Sequence, residues 1–378
     1  MFETTRAFCG SFLNMGVPGF DLRVYKDGAC ILNYRNGYSD LEHKLPVKGN
    51  ERYRLYSCSK PITCTAAMQL WEKGLFKLDD PVSAYLPEYA NMTVQEDDGT
   101  IRPAKTTMLV RHLFQMSGGF SYNYNSPKLV QLREETDGMC TTRQVIRALA
   151  GEPLLFDPGT RYKYSLCHDV LAALVEVVSG QLFETYVKDH IFDPLRMTHS
   201  TFYLPEEEAD SLTCQYRFNY ETGTPDLIPK TNWRVGKRFV SGGGGCVSTV
   251  DDYIKFGLAM CSGETLLKRE TIRMMMKDGL NDEQKKYYPG TETSYGLGIR
   301  VPIEGSWRTE FGWGGAAGAF ISIDPTHQLV IFYAQQMLNS PNQKIRSNLY
   351  PIIMEELGLH SGTQFSESED PGSVKSVT

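Results

Sequence analysis

Strand-forming stretches fall at the two ends of this chain and leave a long, mainly helical run between them. Phe20 to Lys26 and Ala29 to Arg35 read as two strands joined by Asp27-Gly28, a strong two-residue hairpin signal. Strand patterns return only late, at Tyr295 to Val301, Thr309 to Trp313, Ala319 to Ile323 and Leu329 to Ala334. Strands at opposite ends must meet to make one sheet. The order therefore predicts an α/β (α+β) chain. Its antiparallel sheet is flanked by an N-terminal helix ending near Asn14 and a C-terminal helix from about Asn342 to Leu357. We assign residues 1–55 and 290–360 to the sheet domain and 56–289 to a large, mostly helical inserted domain. Residues 361–378, rich in Ser, Glu, Gly and Pro, read as a disordered tail.

Inside the insertion, helices read at Thr142 to Ala150, His168 to Val178 and Thr249 to Met260, between long loops. The sharpest helix start is Leu55-Tyr56-Ser57-Cys58-Ser59-Lys60-Pro61. Proline in a helix interior loses a hydrogen bond and clashes with the carbonyl four residues back, so this helix begins no earlier than about Ser57. Ile62, Ala66, Ala67 and Leu70 then repeat at helical spacing, and Gly74 reads as the stop. Ser57 and Lys60 share one face, three residues apart.

That pairing carries chemistry. A serine hydroxyl is a poor nucleophile until a base takes its proton, and a lysine whose ammonium is disfavoured by burial can be, or assist, that base. The positive helix N-terminus favours an alkoxide on Ser57. The plain alternative is an exposed lysine in an ordinary first turn, but this is the only S-x-x-K in the chain and it sits at a sharply defined start.

Charge and cysteine usage narrow the classes. With a net charge of -6, nucleic acid is not an expected partner, because phosphate binding needs a basic face. No stretch reads as a transmembrane span, and Met1 to Arg6 lacks a basic segment followed by an apolar one, so neither a membrane nor a signal peptide is expected. Nine scattered cysteines without paired spacing fit a reducing, cytoplasmic setting. No C-x-x-C or H-x-x-x-H occurs, so no metal site and no cofactor are expected. Cys58 lacks a histidine nearby in sequence and is a weak rival nucleophile.

Two further stretches stand out. Asp157-Pro158-Gly159-Thr160-Arg161-Tyr162-Lys163-Tyr164 is a Pro-Gly turn presenting Tyr164, whose phenol could share a proton with Lys60 and Ser57. His168, four residues on, is a rival base but reads better as a satisfied helix-start histidine. Late in the chain, Phe311-Gly312-Trp313-Gly314-Gly315-Ala316 places glycines at a strand end, where substrate can approach the backbone closely. A free N–H there, with that of Ser57, would form an oxyanion hole; the alternative is a bulged strand. Gly242 to Gly245 is no phosphate loop, since no Gly-Lys-Ser/Thr follows.

In this order the stretches resemble the serine β-lactamase and penicillin-binding protein superfamily, on its class C side, from about Val17 to Leu357. Leu78 to Val82, Met116-Ser117-Gly118-Gly119, Val177 to Gly180, Pro194 to Thr198 and Ser248 to Tyr253 carry the same likeness. The resemblance implies Ser57 as acylated nucleophile, Lys60 and Tyr164 as its proton-transfer partners, and the N–H groups of Ser57 and Ala316 as the oxyanion hole. It also implies substrate contacts by Trp313, Gly314, Gly315 and Ala316.

Two departures set the subfamily. Trp313-Gly314-Gly315 stands where β-lactamases and D-Ala-D-Ala peptidases usually have Lys or His, then Thr, then Gly, and Leu166 stands where they have Asn. The groups that grip a β-lactam carboxylate and a substrate amide are therefore missing. The triplet is similar to that of family VIII carboxylesterases. The expected function is hydrolysis of a small-molecule ester through an acyl-enzyme, with weak β-lactam hydrolysis beside it. The alternatives are a β-lactamase or D-amino-acid peptidase, and a non-catalytic binding protein. Oligomeric state is left open.

Overall fold

A computed structural model describes residues 1–230 and 235–360; the expected tail at 361–378 lies outside them. The hairpin forms as its turn predicts. Gly19–Lys26 (β1) pairs antiparallel with Ala29–Asp40 (β2), and Asp27 and Gly28 both take the left-handed conformation, at φ 52° and 77°, that a tight hairpin turn requires. Leu45–Pro46 (β3) adds an edge. The remaining strands come from the other end of the chain: Thr293–Tyr295 (β4), Arg300–Pro302 (β5), Phe311–Gly314 (β6), Phe320–Asp324 (β7) and Leu329–Gln335 (β8). The two ends meet where β8 pairs with β1, from Phe20 opposite Gln335 to Lys26 opposite Leu329. The result is an eight-stranded antiparallel sheet in the order β4-β5-β6-β7-β8-β1-β2-β3.

The helices that matter to the sheet and the site are Glu3–Asn14 (α1), Ser59–Glu72 (α2), Cys167–Ser179 (α3), Val250–Ser262 (α4) and Leu349–Glu356 (α5). Side chains alternate across a strand, and β8 uses both faces. Ile331 and Tyr333 join Phe20, Leu22 and Val24 in a core closed by Phe12 of α1 and Tyr350 and Ile353 of α5. Val330, Phe332 and Ala334 point the other way, into a core shared with α2, α3 and α4. The terminal helices thus cover one face only. The other is covered by α4 from the helical segment, whose Tyr253 ring lies 4.5 Å from that of Phe332. Each such buried side chain contributes roughly 1.5–3 kcal/mol.

Three stretches differ from expectation. The C-terminal helix α5 begins only at Leu349, behind the short Arg346–Asn348 turn, and not near Asn342. Tyr295 to Val301 is not one strand, because Gly296 to Ile299 form a turn, with Gly298 at φ 85°, that separates β4 from β5. The segment expected to be helices and loops also holds a β-hairpin, Gln215–Asn219 with Thr224–Ile228, which a parallel pairing joins to Met337–Leu338. Tyr53–Arg54 pairs with Val247–Ser248 and draws the glycine run at 242–245 up to the start of α2. Among the described residues, no single helix is long and apolar enough to cross a membrane; α3 and the following Phe183–Phe192 meet that length only as a pair bent by 80°.

Candidate active site

Ser57 sits in a tight turn, Tyr56–Cys58, that leads into α2, with Tyr56 left-handed at φ 48°. A non-glycine residue holds that conformation only where its surroundings over-determine it, and here they do. The Tyr56 hydroxyl donates to Gln215 Oε1 at 2.7 Å, Ser59 Oγ donates to the Tyr56 carbonyl at 2.5 Å, and the Tyr253 hydroxyl donates to the Cys58 carbonyl at 2.5 Å. One turn on, Lys60 is wholly buried and donates to Ser57 Oγ at 3.2 Å and to the Gly243 carbonyl at 2.7 Å.

The tyrosine loop is held from outside. Asp157 takes a bidentate ion pair from Arg102 at 2.9 and 2.8 Å. The N–H groups of Leu155, Gly159 and Lys163 donate to Gly119, Ser117 and Met116, each at 2.8 Å, so the Met116 to Gly119 phrase cradles the Pro-Gly turn. Tyr164, half-buried, thereby donates to Ser57 Oγ at 2.6 Å. Its ring stacks between Tyr122 at 5.4 Å and Trp313 at 5.6 Å, and Lys60 Nζ lies 4.5 Å from the ring centre.

Burial works against the Lys60 ammonium, yet the Tyr122 and Tyr164 phenols and the Asp169 carboxylate more than offset it and hold its pKa above the ordinary lysine value. Burial pushes the Tyr164 phenol up to about 12 against the opposing pull of Lys60. The resting pair is thus an ammonium beside a neutral phenol, not the burial-neutralised lysine that sequence reasoning allows. The two titrate as a unit, which becomes a base once it has lost one proton.

Position 313 departs from expectation. Trp313 is 1% exposed, and its indole Nε1 donates to the Tyr164 hydroxyl at 3.3 Å, so its side chain buttresses the phenol instead of lining a substrate surface. Gly314 pairs with Phe320 at the end of β6. Gly315 lies so close to Leu55 that a β-carbon there would come within 2.3 Å of its carbonyl, which seats the following loop on the Tyr56–Cys58 turn. Ala316 is the partly exposed residue of the 311–320 run. Among the described residues, neither its N–H nor that of Ser57 donates to a protein group. Cys58 is buried, with Sγ donating to the Trp313 carbonyl at 3.5 Å. His168 is also buried; its Nε2 meets the Phe114 carbonyl at 3.3 Å, and burial first, then the Lys60 cation, hold it neutral with a pKa lowered to about 3. Leu166 is buried just ahead of α3.

Sequence reasoning missed three parts of the site. Tyr122 brings a second phenol to 3.5 Å from Lys60 Nζ. Gly243 supplies the carbonyl on Lys60, and a β-carbon there would lie 2.8 Å from Asp169 Oδ2 and 3.5 Å from Lys60 Nζ, so only glycine fits without a shift. Asp169 of α3 accepts from Ser241 Oγ at 2.6 Å and from the Gly243 N–H at 3.3 Å, pinning that carbonyl. Tyr56, the residue before Ser57, and Gly244 and Gly245 of the glycine run line a neighbouring cleft of about 650 Å³, counting the part open to solvent, which Tyr124, Phe202 and Phe239 share with Arg54 and Ser241. Its wall mixes aromatic and aliphatic side chains with a cation and a hydroxyl. Among the described residues, no group of three or more His, Cys, Asp or Glu side chains is arranged to hold a metal ion.

The chain matches the family model described as Beta-lactamase over residues 11–349. Protein Rv1367c of Mycobacterium tuberculosis is 28% identical over 332 residues, covering 79% of this chain and 81% of that protein. Among solved structures, EstCE1, described as a hydrolase with promiscuous acyltransferase activity, superposes with a TM-score of 0.76 at 24% identity, over 93% of this chain and 97% of its own. Simvastatin synthase (LovD) from Aspergillus terreus superposes with a TM-score of 0.78 at 24% identity, over 94% of this chain and 98% of its own. At that identity the two structures speak to the fold.

Proposed function

Because this chain belongs to the beta-lactamase family, we propose that it is a serine hydrolase that cleaves small, uncharged carboxylic esters through an acyl-enzyme on Ser57. The observation that carries the reading is the contact of Ser57 Oγ with the Tyr164 hydroxyl at 2.6 Å and with the buried Lys60 ammonium at 3.2 Å. Once the Lys60–Tyr164 pair has lost a proton, it accepts that of Ser57 as Oγ adds to the ester carbonyl. The N–H groups of Ser57 and Ala316 receive the developing oxyanion; losing one such donor typically costs about a hundred- to a thousandfold in rate. Collapse breaks the bond to the alkoxy oxygen, which leaves as the alcohol with the proton the pair has held. Water gives its proton to the same pair, attacks the acyl carbonyl and releases the acid, restoring Ser57.

The preference for uncharged esters rests on Trp313, which stands where the resemblance implies a cation and is turned to Tyr164. Weak β-lactam hydrolysis follows from the same acylation step. EstCE1 is described as having promiscuous acyltransferase activity, and on this chain an added alcohol could discharge the same acyl-enzyme. A small-molecule partner, no nucleic acid, no membrane and a cytoplasmic setting complete the reading, on the acidic balance and cysteine pattern. The test compares a short-chain nitrophenyl ester with a chromogenic cephalosporin, for the wild type and Ser57→Ala. The reading expects faster ester turnover, abolished by the substitution. Faster cephalosporin turnover would favour a β-lactamase, and neither activity a binding protein.

A further inference from the structure

We propose that Arg346 is the positioning residue for the oxyanion-hole amide of Ala316, an inference that rests on the reading of Ser57 as nucleophile. Arg346 opens the turn before α5 and is 1% exposed, yet among its interactions is a hydrogen bond from Nη2 to the Gly315 carbonyl at 3.1 Å. A guanidinium buried under a backbone carbonyl needs a reason, since desolvating it is costly unless its N–H groups are used. The peptide bond supplies one. The Gly315 carbonyl and the Ala316 N–H belong to one planar unit, with no cis bond in the described chain, so they point in opposite directions. Holding the oxygen inward against Arg346 aims the N–H outward, on the side where Ala316 alone of this run meets solvent.

The rest of the loop is fixed to match. The Gly315 N–H donates to the Ala319 carbonyl at 2.7 Å, the Gly318 N–H to Gly315 at 2.9 Å and the Met337 N–H to Ala317 at 2.9 Å. The 316 N–H is left over. A cation on the oxygen of a peptide also polarises it and strengthens its N–H as a donor. Arg346 thus acts through the 315–316 peptide, by its bond to the Gly315 carbonyl.

Arg346→Lys, Arg346→Gln and Arg346→Met are compared with the wild type for kcat and KM on a short-chain nitrophenyl ester. They are also compared for inhibition by a trifluoromethyl ketone, which forms a tetrahedral oxyanion on the nucleophile. The inference expects kcat to fall about tenfold to a hundredfold in Arg346→Met, less than the loss of a whole oxyanion donor. KM should stay within about twofold, and ketone affinity should fall by the factor lost from kcat. Arg346→Lys should recover most of both and Arg346→Gln less, and these two carry the test if the Met variant does not fold. Ketone affinity equal to wild type across the folded variants overturns the inference, as does a kcat loss that only tracks lost folded protein. Ser57→Ala runs in parallel. Full activity there overturns the nucleophile reading itself, whereas an inactive Ser57→Ala beside Arg346 variants that bind the ketone normally overturns the positioning role alone.

Discussion

The indole N–H of Trp313 donates to the Tyr164 hydroxyl at 3.3 Å while the two rings stack 5.6 Å apart. Where the resemblance implies a substrate-gripping cation, this chain places an indole that supports the phenol. A donor aimed at a phenol favours its ionised form. Trp313→Phe keeps the stack and removes the donor, so the apparent pKa governing kcat/KM should rise by roughly half a unit to one unit, the worth of one neutral hydrogen bond. A pH–rate profile of the variant reads this directly; an unmoved profile would mean the bond is not felt in the reacting state.

Burial raises the Tyr164 phenol to about 12, while burial of Lys60 is outweighed by its phenol and carboxylate neighbours, which raise it above the ordinary lysine value; the proposed base pair is therefore protonated at rest. A group with a raised pKa must lose a proton to act as a base, so activity should climb with pH through the neutral range and beyond, as far as the fold endures. His168, lowered to about 3 by burial and the Lys60 cation and set against the Phe114 carbonyl, should add no inflection near pH 6.5. Profiles of kcat/KM for the wild type and His168→Gln should share one shape. A break near pH 6.5 that disappears in His168→Gln would put the histidine into the mechanism.

Tyr164→Phe removes one oxygen and leaves the ring between Tyr122 and Trp313. Proton transfer by a positioned side chain is worth about a hundred- to ten-thousandfold. We expect kcat to drop by that order, with melting temperature within a few degrees of wild type. A fall confined to KM would show that the phenol binds substrate without carrying a proton.

The helix start at Ser57 was legible because Pro61 fixes its own register, and Thr142–Ala150 because its apolar side chains repeat cleanly and Thr141 caps it through the Gln144 N–H. The hairpin turn at Asp27-Gly28 and the pairing of chain ends followed from local chemistry and sheet rules. The hairpin at 215–228 escaped because its strands are five residues each and its turn signal, Thr222-Gly223, sits among polar residues. Asp169, Tyr122 and Gly243 escaped for another reason. Each acts on a partner far along the chain, as in the contact of Lys60 with Gly243 across 183 residues, and no local spacing encodes that. Trp313 was read as substrate-facing because its position was legible and its side-chain direction was not.

Asp169 fixes the carbonyl that receives Lys60, through the Gly243 N–H and Ser241 Oγ. Asp169→Asn preserves shape but weakens both charge-assisted bonds, so kcat should fall about tenfold with a melting loss of a few degrees, in line with about 1.5–3 kcal/mol for a hydrogen bond to a charged group. Gly243→Ala should lower kcat similarly by crowding Asp169 and Lys60. Thermal melts beside initial rates separate the two effects, and unchanged rates in both variants would free Lys60 from this support.

The most direct measurement is covalent. A nitrophenyl phosphonate ester, which phosphonylates an activated serine and releases nitrophenol, is incubated with the protein, and the adduct is located by peptide mass mapping. One stoichiometric adduct is expected on the peptide containing Ser57, absent in Ser57→Ala and formed far more slowly in Tyr164→Phe. An adduct on another residue, or ester hydrolysis undiminished in Ser57→Ala, would contradict Ser57 as the nucleophile.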